Sequence, residues 1–220
     1  MKRIPTAELL DSDAGTSQEI AGSLADLRWF NRNFGGLNTT HSLVEEVVRA
    51  TGAHRLSLLE VAAGSGDVPL YARKKLSPRG IDLAVTLLDR SAAHVGNGGR
   101  SVVGDALALP FHAASFDLVS CGLFAHHLAP EEVARFVTEG LRVCRCAMLI
   151  NDLIRHPLHL AVAYAGLPLY RSRLTRHDAP ASVRQAYTLT EMRDILRNTT
   201  ASRIETSRHY FFRMGVIAWK

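Results

Sequence analysis

Apolar residues in this chain fall into short runs set apart by stretches in which they recur every three or four positions. The clearest run, Leu56-Ser57-Leu58-Leu59-Glu60-Val61, ends in a string of small residues, Ala62-Ala63-Gly64-Ser65-Gly66, and then Asp67. A run this short, bounded by small residues, predicts a buried strand feeding a tight turn. Runs of the same kind occupy Ala84 to Asp89, Arg100 to Val103, Ser115 to Cys121 and Ala147 to Ile150. Between them, Pro130 to Leu141 has helical spacing, opened by a proline and by Glu131 and Glu132, residues that suit a helix N-terminus. Strands alternating with helices predict an α/β fold. Near the end of the sequence Thr190 to Leu196 predicts a capped helix, and Arg203 to Arg208 and Tyr210 to Trp219 predict a hairpin. The expected architecture is a seven-stranded mixed sheet with helices on both faces and its last strand antiparallel.

Before the first strand the pattern is helical. Ser17 is a candidate N-cap, and Ile20, Leu24, Leu27 and Trp29-Phe30 form an apolar stripe that ends at Asn31 to Gly36. A second helix is expected from Thr40 to Gly52, with Leu43, Val44, Val47 and Val48 inward. Residues 1–52 are thus expected to form an N-terminal helical cap, which either folds over a ligand or merely covers the sheet.

The small residues at alternate positions 62, 64 and 66 leave backbone bare for a ligand. A dinucleotide fingerprint needs a third small residue, and its register here places Pro69 there, which argues against NAD. An acidic residue near the strand end followed by Ala62, Gly64 and Gly66 resembles motif I of the class I S-adenosylmethionine-dependent methyltransferases. The second strand closes on Asp89, 29 positions after Glu60, the length of one βαβ unit. The third ends in Gly104-Asp105-Ala106, and Phe116-Asp117-Leu118-Val119 carries the "FD-V" pattern common in this family. The resemblance covers about Leu56 to Asp152 and departs at Ala62, usually Gly, and at Glu60, usually Asp. It implies a Rossmann-like fold that binds S-adenosylmethionine through Glu60, Ala62, Gly64, Gly66, Asp89, Arg90, Asp105, Ala106 and Cys121. Asp89 would accept hydrogen bonds from the ribose hydroxyls, Asp105 from the adenine amino group, and Ala106 would donate its backbone N–H.

Composition fits one compact unit. With 220 residues, 47% of them hydrophobic, the chain can bury a large core, and a single domain is expected over 1–220. No apolar segment follows Met1-Lys2-Arg3, so no signal peptide is expected. The longest apolar stretch, Pro157 to Tyr170, is interrupted by His159 and Pro168 and falls short of the ~20 residues a membrane span needs. A cytoplasmic location follows as an expectation. Cys121, Cys144 and Cys146 are odd in number, and Cys144-Arg145-Cys146 lacks metal-site spacing, so reduced structural thiols and no metal site are expected. The net charge of +5 resides beyond residue 150, where eleven Lys or Arg face five Asp or Glu. The arginines there are dispersed and not interleaved with aromatic platforms, which argues against a nucleic-acid groove.

Chemistry is expected beyond the strand ends. His126 and His127 follow the fourth strand, and an imidazole titrating near 6.5 could take a proton from an acceptor hydroxyl. In the family a histidine pair here often only orients a loop. His156 and His177 are the competing bases. Both lie on an insertion, residues 153–188, whose apolar middle suggests either a lid over a hydrophobic ring system or a homodimer surface. "NDLIRHPL" and "RHDAPASVR" also resemble bacterial methyltransferases of aromatic polyketide and phenolic pathways. The reading is methyl transfer to a small aromatic or lipid-like acceptor, at a phenolic oxygen. C-methylation of a quinone or phenol precursor, RNA methylation, and a non-catalytic cofactor-binding subunit remain as alternatives.

Overall fold

The computed structural model describes residues 1–12, 14–91 and 100–220. One sheet runs through it, built from β1 (Arg55–Val61), β2 (Asp82–Asp89), β3 (Arg100–Val103), β4 (Phe116–Gly122), β5 (Cys144–Leu153), β6 (Arg203–His209) and β7 (Arg213–Trp219). The spatial order is β3-β2-β1-β4-β5-β7-β6, and β7 runs antiparallel to both its neighbours while the other pairings are parallel. The mixed sheet with its last strand antiparallel is the one the sequence predicts.

Strand pleating splits the apolar runs between two cores. Leu58 and Leu59 point to opposite faces, and both are fully buried. On one face Leu58, Leu87 and Leu149 pack with Leu43, Val44 and Val47 of α2 (Gly36–Thr51) and with Ala72 and Leu76 of α3 (Asp67–Leu76). On the other, Leu59, Val119 and Ile150 pack against α4 (Pro130–Val143) and α7 (Leu189–Leu196) through Phe136, Leu141, Met192 and Leu196.

Several element boundaries differ from the sequence reading, each for a local reason. Helix α1 (Ser17–Asn33) is capped by Thr16 and not Ser17, because Thr16 and Glu19 form a reciprocal capping box. Trp29 lies outside the buried stripe at 44% exposure; Ser23 and Asp26 are the buried residues of α1, while Leu24, Leu27 and Phe30 face a cavity. Helix α2 starts four residues early, at Gly36, since Gly35 turns left-handed (φ 79°) against the Tyr210 carbonyl, where a Cβ would lie 2.6 Å from that oxygen. The expected lid contains two helices, α5 (Pro157–Ala165) and α6 (Arg173–Gln185), the second of which includes Arg176 to Arg184. Strand β7 begins at Arg213; Tyr210, Phe211 and Phe212 form the turn before it, the two phenylalanines at φ 57° and 56°. The first twelve residues are not part of a helical cap. Apart from a 3-10 turn they run as a strap, held where Ile4 N–H donates to the Arg184 carbonyl and where Leu9 and Leu10 N–H donate to Asp178.

Candidate active site

The parallel order reverses between β1 and β4, and a cleft opens there beyond the strand ends, the usual ligand position in open α/β sheets. A cavity of about 820 Å³ occupies it, within the roughly 300–1,000 Å³ of small-molecule sites.

The loop after β1 is its floor. Ala62 (φ 54°), Gly64 (φ 49°) and Gly66 (φ 73°) are left-handed, which exposes successive backbone groups. Gly66 has no room for a side chain, because a Cβ would lie 2.6 Å from Leu87 Cδ1. The loop is tied to β2: Gly64 N–H donates to Asp89 Oδ2 at 2.9 Å, and the other carboxylate oxygen accepts Ser91 N–H at 3.1 Å. Asp105 accepts Leu107 N–H at 2.9 Å. Among the residues expected to bind cofactor, Glu60, Ala62, Gly64, Asp89, Arg90, Asp105 and Ala106 line the cavity together. Gly66 and Cys121 do not. Gly66 stands behind the loop as the cap of α3, and Cys121 is buried within the core of β4. Burial pushes the Glu60 carboxyl up to about 7, against a hydrogen bond from Ser120 that pulls it down. Burial also raises the Cys121 thiol well above its ordinary value, as expected of an inert core cysteine.

Rings form another part of the wall. Phe34 stacks on Phe211 at 4.6 Å between centroids, and Phe30 meets Tyr170 edge to face. His159 of α5 lies parallel to Phe212 at 4.9 Å, and burial holds its pKa down to about 4, so it is a neutral aromatic surface. His156 and His177 are exposed and outside the cavity wall: His156 caps α5, and His177 pairs with Asp178. Helix α1 therefore lines the cavity while α2 covers the sheet, so the two uses expected for the N-terminal helices divide between them.

His126 and His127 both face the cavity. His126 is buried, its Nδ1 lying 2.6 Å from Asp152 Oδ1 and its backbone N–H donating to Asp152 Oδ2. Burial opposes its charge, but Asp152 and Glu8 outweigh that and raise the ring to about 10. An imidazole so placed is protonated at neutral pH, not the free base titrating near 6.5 that the sequence suggested. The sequence reading missed Glu8 and Asp11, which the strap brings to the cavity, and Arg213, which lines it at 2% exposure. No local motif marks these residues, since each reaches the site only through the fold.

Residues 59–146 match a methyltransferase domain family. No curated protein matches the sequence. Among solved structures, a plantazolicin methyltransferase in complex with a monoazolic desmethyl analogue and SAH superposes with a TM-score of 0.66 at 15% identity, covering 96% of this chain and 93% of that one. An S-adenosylmethionine-dependent methyltransferase from Methanosarcina mazei gives 0.54 at 17% identity over 79% and 96%. A protein from Nostoc punctiforme assigned as an O-methyltransferase gives 0.55 at 12% over 87% and 59%. No helix among the described residues is long and apolar enough to cross a membrane. The match over residues 59–146, the strand order and the loop geometry agree that this chain has the fold of the class I S-adenosylmethionine-dependent methyltransferases.

Proposed function

We propose that the chain transfers the methyl group of S-adenosylmethionine to a small aromatic acceptor, at a phenolic oxygen. The observation that carries this reading is a cavity whose lining joins two unlike parts, a bare glycine loop with Asp89 and Asp105, and a set of rings. The carboxylate part suits a ribose and an adenine amino group; the rings suit a flat apolar acceptor. The plantazolicin enzyme was captured with an azole-bearing analogue and the Nostoc protein is assigned to oxygen, which favours ring-bearing or hydroxyl acceptors here as well. Helices α5 and α6 act as the lid, and the strap lies across the same opening.

Methyl transfer requires the acceptor oxygen, the methyl carbon and the sulfur in line. Holding two reactants so in a dry site can supply about 7–11 kcal/mol of barrier lowering, more than the 10²–10⁴-fold typical of a general base. His126, held protonated between carboxylates, is a positioning group in this scheme.

Titration calorimetry with SAH and NAD tests the cofactor, and labelled S-adenosylmethionine offered with phenols, quinols and RNA tests the acceptor. SAH binding without NAD binding is expected, with label passing to a phenol. Asp89→Ala should weaken SAH about 10- to 150-fold, the 1.5–3 kcal/mol of a charged hydrogen-bond partner. NAD binding in place of SAH, or label found in RNA alone, overturns the reading.

A further inference from the structure

At the cavity edge the strap and the turn after β4 bring three metal-binding side chains together. Glu8 Oε1 lies 3.5 Å from His126 Nε2 and 3.9 Å from His127 Nε2, and one ligand atom from each residue falls within 4.8 Å of the others. These separations are at or past the limit of a hydrogen bond. The two carboxylate–imidazole distances suit donors sharing an ion, since two ligands each about 2.1 Å from one ion lie at most about 4.2 Å apart.

The opposite nitrogen of each ring explains why both Nε2 atoms point forward. His126 Nδ1 is engaged by Asp152 at 2.6 Å, and His127 Nδ1 by Asp11 at 2.8 Å. A carboxylate on the far nitrogen is how proteins fix the tautomer and direction of a metal-binding imidazole, and it occurs here twice. Glu8 is held in place through the same Oε1 that faces the imidazoles, which accepts from Ser182 Oγ at 2.5 Å and Gln185 Nε2 at 2.7 Å. Three carboxylates thus surround two imidazoles, with Arg90 near Asp11 and Arg3 bound to the His126 and Leu128 carbonyls as the neighbouring cations.

The geometry points to Glu8, His126 and His127 as the ligands of one divalent transition-metal ion, which takes the place of the proton that His126 Nε2 carries without it, with its remaining positions open to the cavity. Two imidazoles and one carboxylate fit Zn²⁺, with Co²⁺ as a spectroscopic substitute, and fit poorly to Mg²⁺, which prefers oxygen donors. Because all three ligands line the cavity, an open position faces the place of the acceptor oxygen. That last assignment rests on the methyl-transfer reading; the ion site does not.

The full-length protein, stripped with chelator, is titrated with Zn²⁺ by calorimetry and with Co²⁺ by visible absorption, and SAH binding is measured on the same metal-free sample. One ion per chain is expected, with affinity falling 100-fold or more in His127→Ala and Glu8→Gln. Asp11→Asn should lower affinity about 10-fold; Asp11 is half-exposed, so this variant keeps the test valid if a deeper substitution fails to fold. SAH binding with no ion bound overturns the metal site and leaves the cofactor reading standing; an ion bound without SAH does the reverse. Zn²⁺ affinity unchanged in all three variants shows the ion to be elsewhere and overturns the assignment.

Discussion

Glu60 lies where a ligand site conflicts with a core. Its carboxyl is pushed from 4.5 up to about 7 by burial, so the folded chain keeps a proton that the unfolded chain releases between those values. Stability contributed by this group is present below pH 4.5 and is lost as pH rises to 7, by about 3 kcal/mol in all. Glu60→Gln should therefore match the parent near pH 4.5 and exceed it at pH 8, as read from denaturant melts of the two proteins across that range. A constant gap would mean that Glu60 is ionised throughout. The loop two residues on carries a different strain. Ala62, where the family usually has glycine, adopts a left-handed φ of 54°, which disfavours any residue with a Cβ. Asp89 was legible as a strand-end acid, but its hold on Gly64 N–H was not, because a side-chain bond to a distant loop leaves no periodic trace.

At the level of elements, the strands were legible wherever they are buried on both faces and so form unbroken apolar runs. The turn before β7 and the helices within the lid were not. Phe211 and Phe212 read as strand because aromatic residues favour sheets, yet the fold uses them as a left-handed turn that sets one ring against Phe34 and the other against His159. Strain kept at such a place is consistent with work at a ligand wall. On the proposed function, Phe211→Ala should raise the KM for a phenolic acceptor about tenfold, the upper range of an aromatic contact, while SAH affinity, set by the glycine loop and its carboxylates, stays within twofold. Steady-state kinetics beside calorimetry separates the two. An equal loss in both would place Phe211 in support of the whole site and not in acceptor binding.

Across the whole molecule, what positions the site is a buried polar junction that composition and periodicity could not reveal. Arg213, at the start of β7, reaches Asn151 on β5 at 3.4 Å and Asn31 on α1 at 3.0 Å, while Asn151 donates to the Gly36 carbonyl and to Thr40 of α2. Burial lowers the guanidinium to about 10, and Asp152 nearby holds it up, so it is charged at neutral pH inside the fold. One side chain thus fastens the N-terminal helices to the sheet. A charge so buried contributes through its partners, and removing it leaves Asn31 and Asn151 without one of theirs. Arg213→Ala should cost about 2–4 kcal/mol in global stability. The loss should not be uniform: hydrogen exchange across residues 17–51 should speed up ahead of β1, β4 and β5, whose apolar faces do not depend on the arginine. Because α1 lines the cavity, acceptor turnover should fall with it. Uniform acceleration of exchange over helices and strands alike would show that the junction stabilises the sheet itself and that the N-terminal helices are held by their apolar contacts alone.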